Sequence, residues 1–124
     1  MNGYQNLQIW HRARILVKAI YQTTATFPAS EQFGLTNQIQ RSAVSIPSNI
    51  AEGWSRNSTK DFINFLYIAR GSLAELETQM AIGCDLGYIT SQDWHNLQVQ
   101  ITEVGKMLNG TITQLKQKSL DTKY

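Results

Sequence analysis

The chain has little of what would divide it into short elements or cross-link it. Its 124 residues include one cysteine, Cys84, so no disulfide can form within the chain. Two prolines and eight glycines provide few turn signals, which favours a few long helices over many short strands. No apolar run approaches the ~18–20 residues that a membrane span needs. The lone cysteine and the lack of a signal-like apolar run at the start lead us to expect a cytoplasmic protein.

A strong excess of one charge is also missing, since 11 basic residues stand against nine acidic ones. The distribution is nevertheless uneven. Residues 1–60 contain six basic and two acidic residues, whereas residues 61–89 contain one basic and four acidic residues. A basic half can attract nucleic acid, and the competing interpretation is that these charges solvate exposed helix faces.

Apolar residues recur at spacings of three and four along four segments, which is the pattern of one buried helix face. Ser30 is the expected N-cap of the second helix, and Ser58 and Thr90, each with an aspartate three residues later, are expected N-caps of the third and fourth. Gly87 is the expected end of the third helix. The predicted helices cover approximately residues 6–26, 30–54, 58–86 and 90–118.

Short connections between these segments make neighbouring helices antiparallel. We therefore predict an all-α fold, an antiparallel up-down-up-down four-helix bundle. It forms a single domain over residues 1–118, followed by a frayed polar tail over residues 119–124. The second helix should be kinked, because Pro47 lies inside it and removes one backbone hydrogen bond.

The stretch Ser45–Gly53 combines this proline with polar residues that a helix interior rarely holds together. If the second and third helices turn near residues 55–58, the numbers of facing residues should add up to about 113. On that register Asn49 lies near Asn64, and Arg41 lies near Ser72 and pairs with Glu75. We predict a polar seam that determines how these two helices pack, with a binding site for RNA bases or a partner peptide as the alternative. The residues of this motif are Arg41, Ser45, Pro47, Asn49, Glu52, Gly53, Gly71, Ser72 and Glu75.

Several short motifs follow one another along the chain. They are Leu7-x-x-Trp10, Phe27-Pro28, Gly34-Leu35, Gln38-Ile39-x-Arg41, the stretch Ser45–Gly53, Phe65-Leu66-x-Ile68-Ala69-x-Gly71-Ser72-Leu73-x-Glu75-Leu76-Glu77 and Leu86-Gly87-Tyr88. Together they closely resemble the four-helix-bundle family named after the 23S rRNA intervening-sequence protein, over residues 5–118. A related bundle is the accessory variability protein of diversity-generating retroelements, which the sequence matches less well.

The resemblance implies an antiparallel bundle that assembles as a homopentamer and has basic surfaces able to bind nucleic acid. In the family namesake, the coding frame lies within an insertion in the large-subunit ribosomal RNA gene. The chain departs from the family pattern at Ser42, where many members have a second basic residue after the one at Arg41. Such a departure weakens the case for a phosphate clamp at this point.

Basic side chains supply the candidate nucleic-acid surface. Arg14 and Lys18 lie four residues apart on the first helix, and Arg56 and Lys60 flank the turn between the second and third. The lysines at the end of the fourth helix should lie close to that turn. A pentamer would repeat this cluster five times and contact the phosphate backbone with little sequence readout. The candidates are Arg12, Arg14, Lys18, Arg56, Lys60, Lys116, Lys118 and Lys123.

No constellation of catalytic residues is apparent. His11 and His95 lie on different predicted helices without metal-ligand spacing, Ser45 and Ser72 lack a histidine triad, and no glycine-rich phosphate loop occurs. We expect no enzymatic activity, no metal and no cofactor.

The predicted function is a homo-oligomeric bundle that binds RNA or DNA. The alternative is a protein-interaction adaptor, for example the accessory subunit of a retroelement reverse transcriptase. Aromatic residues beyond the needs of one small core should be exposed and suit a subunit interface. They are Tyr4, Tyr21, Tyr67, Tyr88 and Trp94.

Overall fold

The computed structural model describes residues 3–121, with side chains up to residue 119. Its helices are α1 (Gln8–Thr24), α2 (Leu35–Trp54), α3 (Thr59–Asp85) and α4 (Ser91–Asp121), and short 3-10 helices cover Tyr4–Asn6 and Ala29–Glu31. Residues 3–121 contain no β-strand, and none of these helices is long and apolar enough to cross a membrane. The predicted all-α fold is confirmed. The frayed tail stays a prediction, because 119–121 continue α4 and 122–124 lie outside the described residues.

The four helices close into a bundle. Each packs against its neighbours in the order α1, α2, α3, α4 and back to α1, as an up-down-up-down bundle requires. The core is a continuous set of aliphatic side chains, among them Ile20 of α1, Ile46 of α2, Leu76 of α3 and Val104 of α4, all fully buried. Stability therefore comes mainly from removing these apolar stripes from water.

Three of the predicted helix ends are confirmed by their hydrogen bonds. The backbone N–H groups of Asp61 and Asp93 donate to the hydroxyls of Ser58 and Thr90 at 3.3 and 3.1 Å, respectively. At the end of α3, the N–H of Tyr88 donates to the carbonyl of Gly83 at 2.9 Å. This closure needs a left-handed residue at Gly87, where φ is +79°.

The predicted start of α2 at Ser30 is wrong. Residues 29–31 form a separate 3-10 turn, and α2 begins at Leu35, whose N–H donates to Glu31 Oε1 at 3.2 Å. The second carboxylate oxygen of Glu31 accepts a hydrogen bond from the Tyr88 hydroxyl at 2.9 Å. The longer Glu31 side chain thus reaches both the free helix end and the α3–α4 connection, which a serine at position 30 does not.

Contact between α2 and α3 is the most extensive in the bundle. Gly53 is buried against α3, where an added Cβ would lie 2.5 Å from Phe65 Cβ. The Ser45 and Ser72 hydroxyls are 2.8 Å apart. These pairs shift the α2–α3 register by about one helical turn from the predicted one, because the first turn of α3 extends beyond the end of α2.

A polar seam does form between α2 and α3, with partners that differ from the predicted ones. Asn49 Nδ2 donates to the Ser45 carbonyl at 2.7 Å and to the Ser45 hydroxyl at 2.8 Å, and the latter bonds with Ser72. One turn earlier, Ser42 donates to Gln79 Oε1 at 3.0 Å. Each of these five side chains thus forms at least one hydrogen bond across the interface or along α2.

The predicted Arg41–Glu75 pair is wrong. Both side chains are exposed, and neither takes part in the two salt bridges found within residues 3–119. The register shift explains this, since it moves Ser72 away from Arg41 and opposite Ser45. Gly71, another member of the predicted motif, faces open space, because an added Cβ there would meet nothing within 4 Å.

Two further members of the predicted motif have local roles. Glu52 is exposed and pairs with Arg56, which lies in the turn just after α2. Pro47 is buried inside α2, which continues through it without interruption. The kink there stays a prediction.

Candidate nucleic-acid interface

Seven of the eight predicted basic side chains lie within the described part of the chain, and all seven are exposed. Lys123 lies outside the described residues. The seven occupy three places: one end of the bundle, a groove between α1 and α2, and the contact between α1 and α4.

The first place is called here the turn-end surface and comprises Arg56, Lys60, Lys116 and Lys118. It lies where the α2–α3 turn meets the C-terminal part of α4. A cavity of about 320 Å³ at this point is lined by Trp54, Asn57 and Phe62 together with Lys118. The prediction that a C-terminal lysine lies beside this turn is therefore confirmed for Lys118.

Aromatic rings accompany two of these cations. The Arg56 guanidinium lies 5.1 Å from the centre of the Phe65 ring, and Lys116 Nζ lies 5.1 Å from that of Tyr67. The Arg70 guanidinium also lies near this ring, 4.8 Å from the Tyr67 centre. Such contacts orient the side chains without neutralising their charge.

The second place is the α1–α2 groove, a concavity of about 260 Å³. Arg14 and Lys18 lie one turn apart along its α1 side, and the Arg14 guanidinium lies 4.5 Å from the centre of the Trp10 ring. The complete lining is Arg14, Val17, Lys18, Tyr21, Val44 and Pro47. The sequence predicted the two cations as a binding surface but did not place Tyr21, Val44 or Pro47 beside them. The spacing of residues 14, 18 and 21 on one helix face was the signal that could have linked Tyr21 to the cations.

The third place holds Arg12 alone. Its guanidinium forms a 3.1 Å salt bridge with Glu103 of α4, and the side chains are 44% and 45% exposed. Such a surface pair links α1 to α4 and neutralises the charge of Arg12. Arg41, predicted as a structural residue, is instead an exposed cation without a salt bridge among the described residues.

The predicted exposure of five aromatic residues is right for Tyr21 and wrong for the others. Tyr21 is 44% exposed, whereas Tyr67, Tyr88 and Trp94 pack against the core. Tyr4 is half-buried, with its ring edge against Trp10. These aromatic rings are partly buried along the sides of the helices, next to the core. A count of aromatic residues in the sequence does not predict this partial burial.

Tyr88 has a distinct electrostatic environment. Its hydrogen bond to the Glu31 carboxylate raises the pKa of the Tyr88 hydroxyl above its ordinary value, and burial and the negative charge of Glu31 act in the same direction. The neutral phenol is therefore the form that this contact stabilises. The contact links the α1–α2 connection to the α3–α4 connection and lies away from the basic surfaces.

Comparison with known proteins supports the fold and assigns a family. The 23S rRNA-intervening sequence protein family matches residues 5–110. A crystal structure of a protein with unknown function from the S23 ribosomal protein family of Bacteroides thetaiotaomicron is similar, with a TM-score of 0.75 and 28% identity over 84% of this chain and 97% of that one. Among curated proteins, no significant match is found. The chain belongs to the 23S rRNA-intervening sequence protein family.

Proposed function

We propose that the protein is a non-enzymatic, homo-oligomeric bundle, a pentamer, that binds structured RNA through its exposed cations. The observation that carries the proposal is that most of those cations have no salt-bridge partner within the described chain. Of the seven described candidates, Arg12 and Arg56 form salt bridges, and the other five form none within the described chain. These five are Arg14, Lys18, Lys60, Lys116 and Lys118.

Unpaired surface cations favour phosphate binding because each contact releases a counterion from the nucleic acid. The five side chains lie on two surfaces, the turn-end surface and the α1–α2 groove, so one RNA can be contacted at separated points. Assembly of several copies would multiply these contacts. The family description, which refers to an intervening sequence of 23S rRNA, makes structured RNA the first nucleic acid to test.

Exposed apolar side chains support self-association. Ile15 on α1, Ile68 on α3 and Val99 on α4 are each at least 40% exposed. Assembly would remove this apolar area from water, which favours contact between copies of the chain. Light scattering during size exclusion tests this point. We expect a mass about five times the 14.0 kDa of one chain, and a monomer would contradict the oligomeric part of the proposal.

RNA binding is tested by neutralising the turn-end surface. The variant Lys60→Gln/Lys118→Gln should bind a labelled structured RNA more weakly than the wild type, because two phosphate contacts are lost. The matched control is Lys106→Gln, which removes an exposed charge on α4 outside both surfaces. Equal affinity of wild type and double variant would contradict the proposal, as would an equal loss in the control.

The alternative is an adaptor that binds another protein, for example a retroelement reverse transcriptase. Phe33, 89% exposed at the α1–α2 connection, is the observation that favours it, because an exposed aromatic ring can anchor a protein partner. A reverse-transcriptase gene beside template and variable repeats would favour the adaptor. A gene inside a ribosomal RNA operon would favour RNA binding.

A further inference from the structure

We infer that the α1–α2 groove holds one unpaired base of a single-stranded nucleic acid, with the adjoining phosphates on Arg14 and Lys18. The inference rests on the proposed nucleic-acid binding and specifies the form of the ligand. It starts from the coincidence of three features at one place: two cations without carboxylate partners, an apolar floor and an exposed aromatic ring.

The floor of the groove is apolar. Val17 of α1 and Val44 and Pro47 of α2 line it, and Pro47 has no backbone N–H to offer. Tyr21 borders the same concavity and is 44% exposed, so part of its surface remains open to a ligand. A planar base can lie against such a surface whatever its identity, because every base has a π face.

The two cations favour an occupant that carries negative charge. Lys18 forms no salt bridge within the described chain, and Arg14 is held by its contact with the Trp10 ring. Their one-turn spacing on α1 places two positive charges along the same edge of the groove. An occupant that is anionic at its edge and flat and apolar in its body satisfies both features, and a nucleotide has this composition.

The size of the groove favours a single base over a helical peptide. Its volume of about 260 Å³ lies below the ~300–1,000 Å³ of pockets that enclose drug-sized ligands. A docked amphipathic helix needs several apolar anchor sites spaced over two turns. The aliphatic lining of this groove consists of Val17, Val44 and Pro47, which is too small a surface for such anchors.

The test compares three fluorescent probes: an oligoadenylate dodecamer, a ribose-phosphate chain of equal length without bases, and an RNA duplex. Tyr21→Ala should weaken oligoadenylate binding by about 5- to 150-fold, the range that loss of one stacked base produces. Binding of the abasic chain and the duplex should not change. Tyr21→Phe should keep wild-type affinity, and the control Phe33→Ala, which removes an exposed ring outside the groove, should have no effect.

Each other outcome overturns the inference in a recognisable way. Unchanged oligoadenylate binding by Tyr21→Ala, or an equal loss for the abasic chain, would exclude stacking while leaving nucleic-acid binding intact. Wild-type protein that binds none of the three probes would remove the proposed function as well. A change of assembly mass in Tyr21→Ala and Val44→Glu would identify the groove as a contact between copies of the chain.

Discussion

Replacing Gly53 with alanine tests the close packing of α2 against α3. The new Cβ would lie 2.5 Å from Phe65 Cβ and 3.1 Å from Phe62 Cδ1. Phe65 Cβ is attached to the α3 backbone and cannot rotate away. The helices must therefore separate by roughly 1 Å to restore ordinary contact, which sacrifices a quarter to a half of the attraction between the atoms that line the gap.

Two opposing effects set the magnitude. Overpacking costs typically 1–3 kcal/mol, and this contact lies at the severe end of that range. The higher helix propensity of alanine returns about 1 kcal/mol. We expect a net decrease of about 2 kcal/mol in the free energy of unfolding. For a chain of this length, that corresponds to a fall in Tm of roughly 8 °C.

Urea denaturation followed by far-UV circular dichroism, at one fixed protein concentration, measures this change. Gly71→Ala is the matched control, since it makes the same substitution inside α3 where nothing lies within 4 Å of the new Cβ. It should stabilise the protein by about 0.5–1 kcal/mol. The reasoning would be refuted if Gly53→Ala were as stable as the wild type or shifted in the same direction as the control.

Three further predictions concern individual contacts. Ser72→Ala should lower the free energy of unfolding by about 1 kcal/mol, because it removes the hydrogen bond to Ser45. The double variant with Ser45→Ala should lose less than the sum of the two single losses, and additive losses in urea denaturation would exclude a direct bond. A double-mutant cycle between Arg12 and Glu103 should give about 0.2–1 kcal/mol that declines with added salt, and a coupling insensitive to salt would contradict a surface pair. The raised pKa of Tyr88 predicts that its contribution to stability is present below the ordinary value of 10.0 and is lost as the pH rises through the folded-state pKa. As the pH rises from about 9 to 11, the Tm of Tyr88→Phe should therefore fall less than the Tm of the wild type. Parallel plots of Tm against pH for the two proteins would refute this.

Much of the fold could be predicted from the spacing of apolar residues and from the capping residues at the helix ends. Ile39, Ile46 and Ile50 recur on one face of α2, and all three are fully buried. Ser58 and Thr90 cap the starts of α3 and α4 through hydrogen bonds to residues only three positions later in the sequence. Such features are local, so the sequence contains them.

The α2–α3 register could not be predicted in the same way. It depends on where Gly53 meets Phe65 and on how far α3 extends past the turn, which are tertiary facts. A shift of one turn was enough to replace the expected partner of Ser72 by Ser45. The start of α2 was missed for a related reason, because the Glu31 side chain replaces the expected serine cap.

The candidate site divides along the same line. Cations such as Arg14 and Lys18 are visible in the sequence as charges on one helix face. Their lack of salt bridges, and the groove that forms when Tyr21 of α1 meets Val44 of α2, appear only once the helices pack. Charge composition thus led to the nucleic-acid proposal, and the packed helices supply the groove on which the proposed base site rests.

The central claim is that unpaired cations bind RNA, and the salt dependence of binding tests it most directly. Fluorescence anisotropy of a labelled structured RNA should show the logarithm of the binding constant falling linearly with the logarithm of salt concentration. Arg14→Gln/Lys18→Gln should make this slope shallower by about two, one for each lost phosphate contact. A slope near zero, or a slope unchanged in the double variant, would contradict the account.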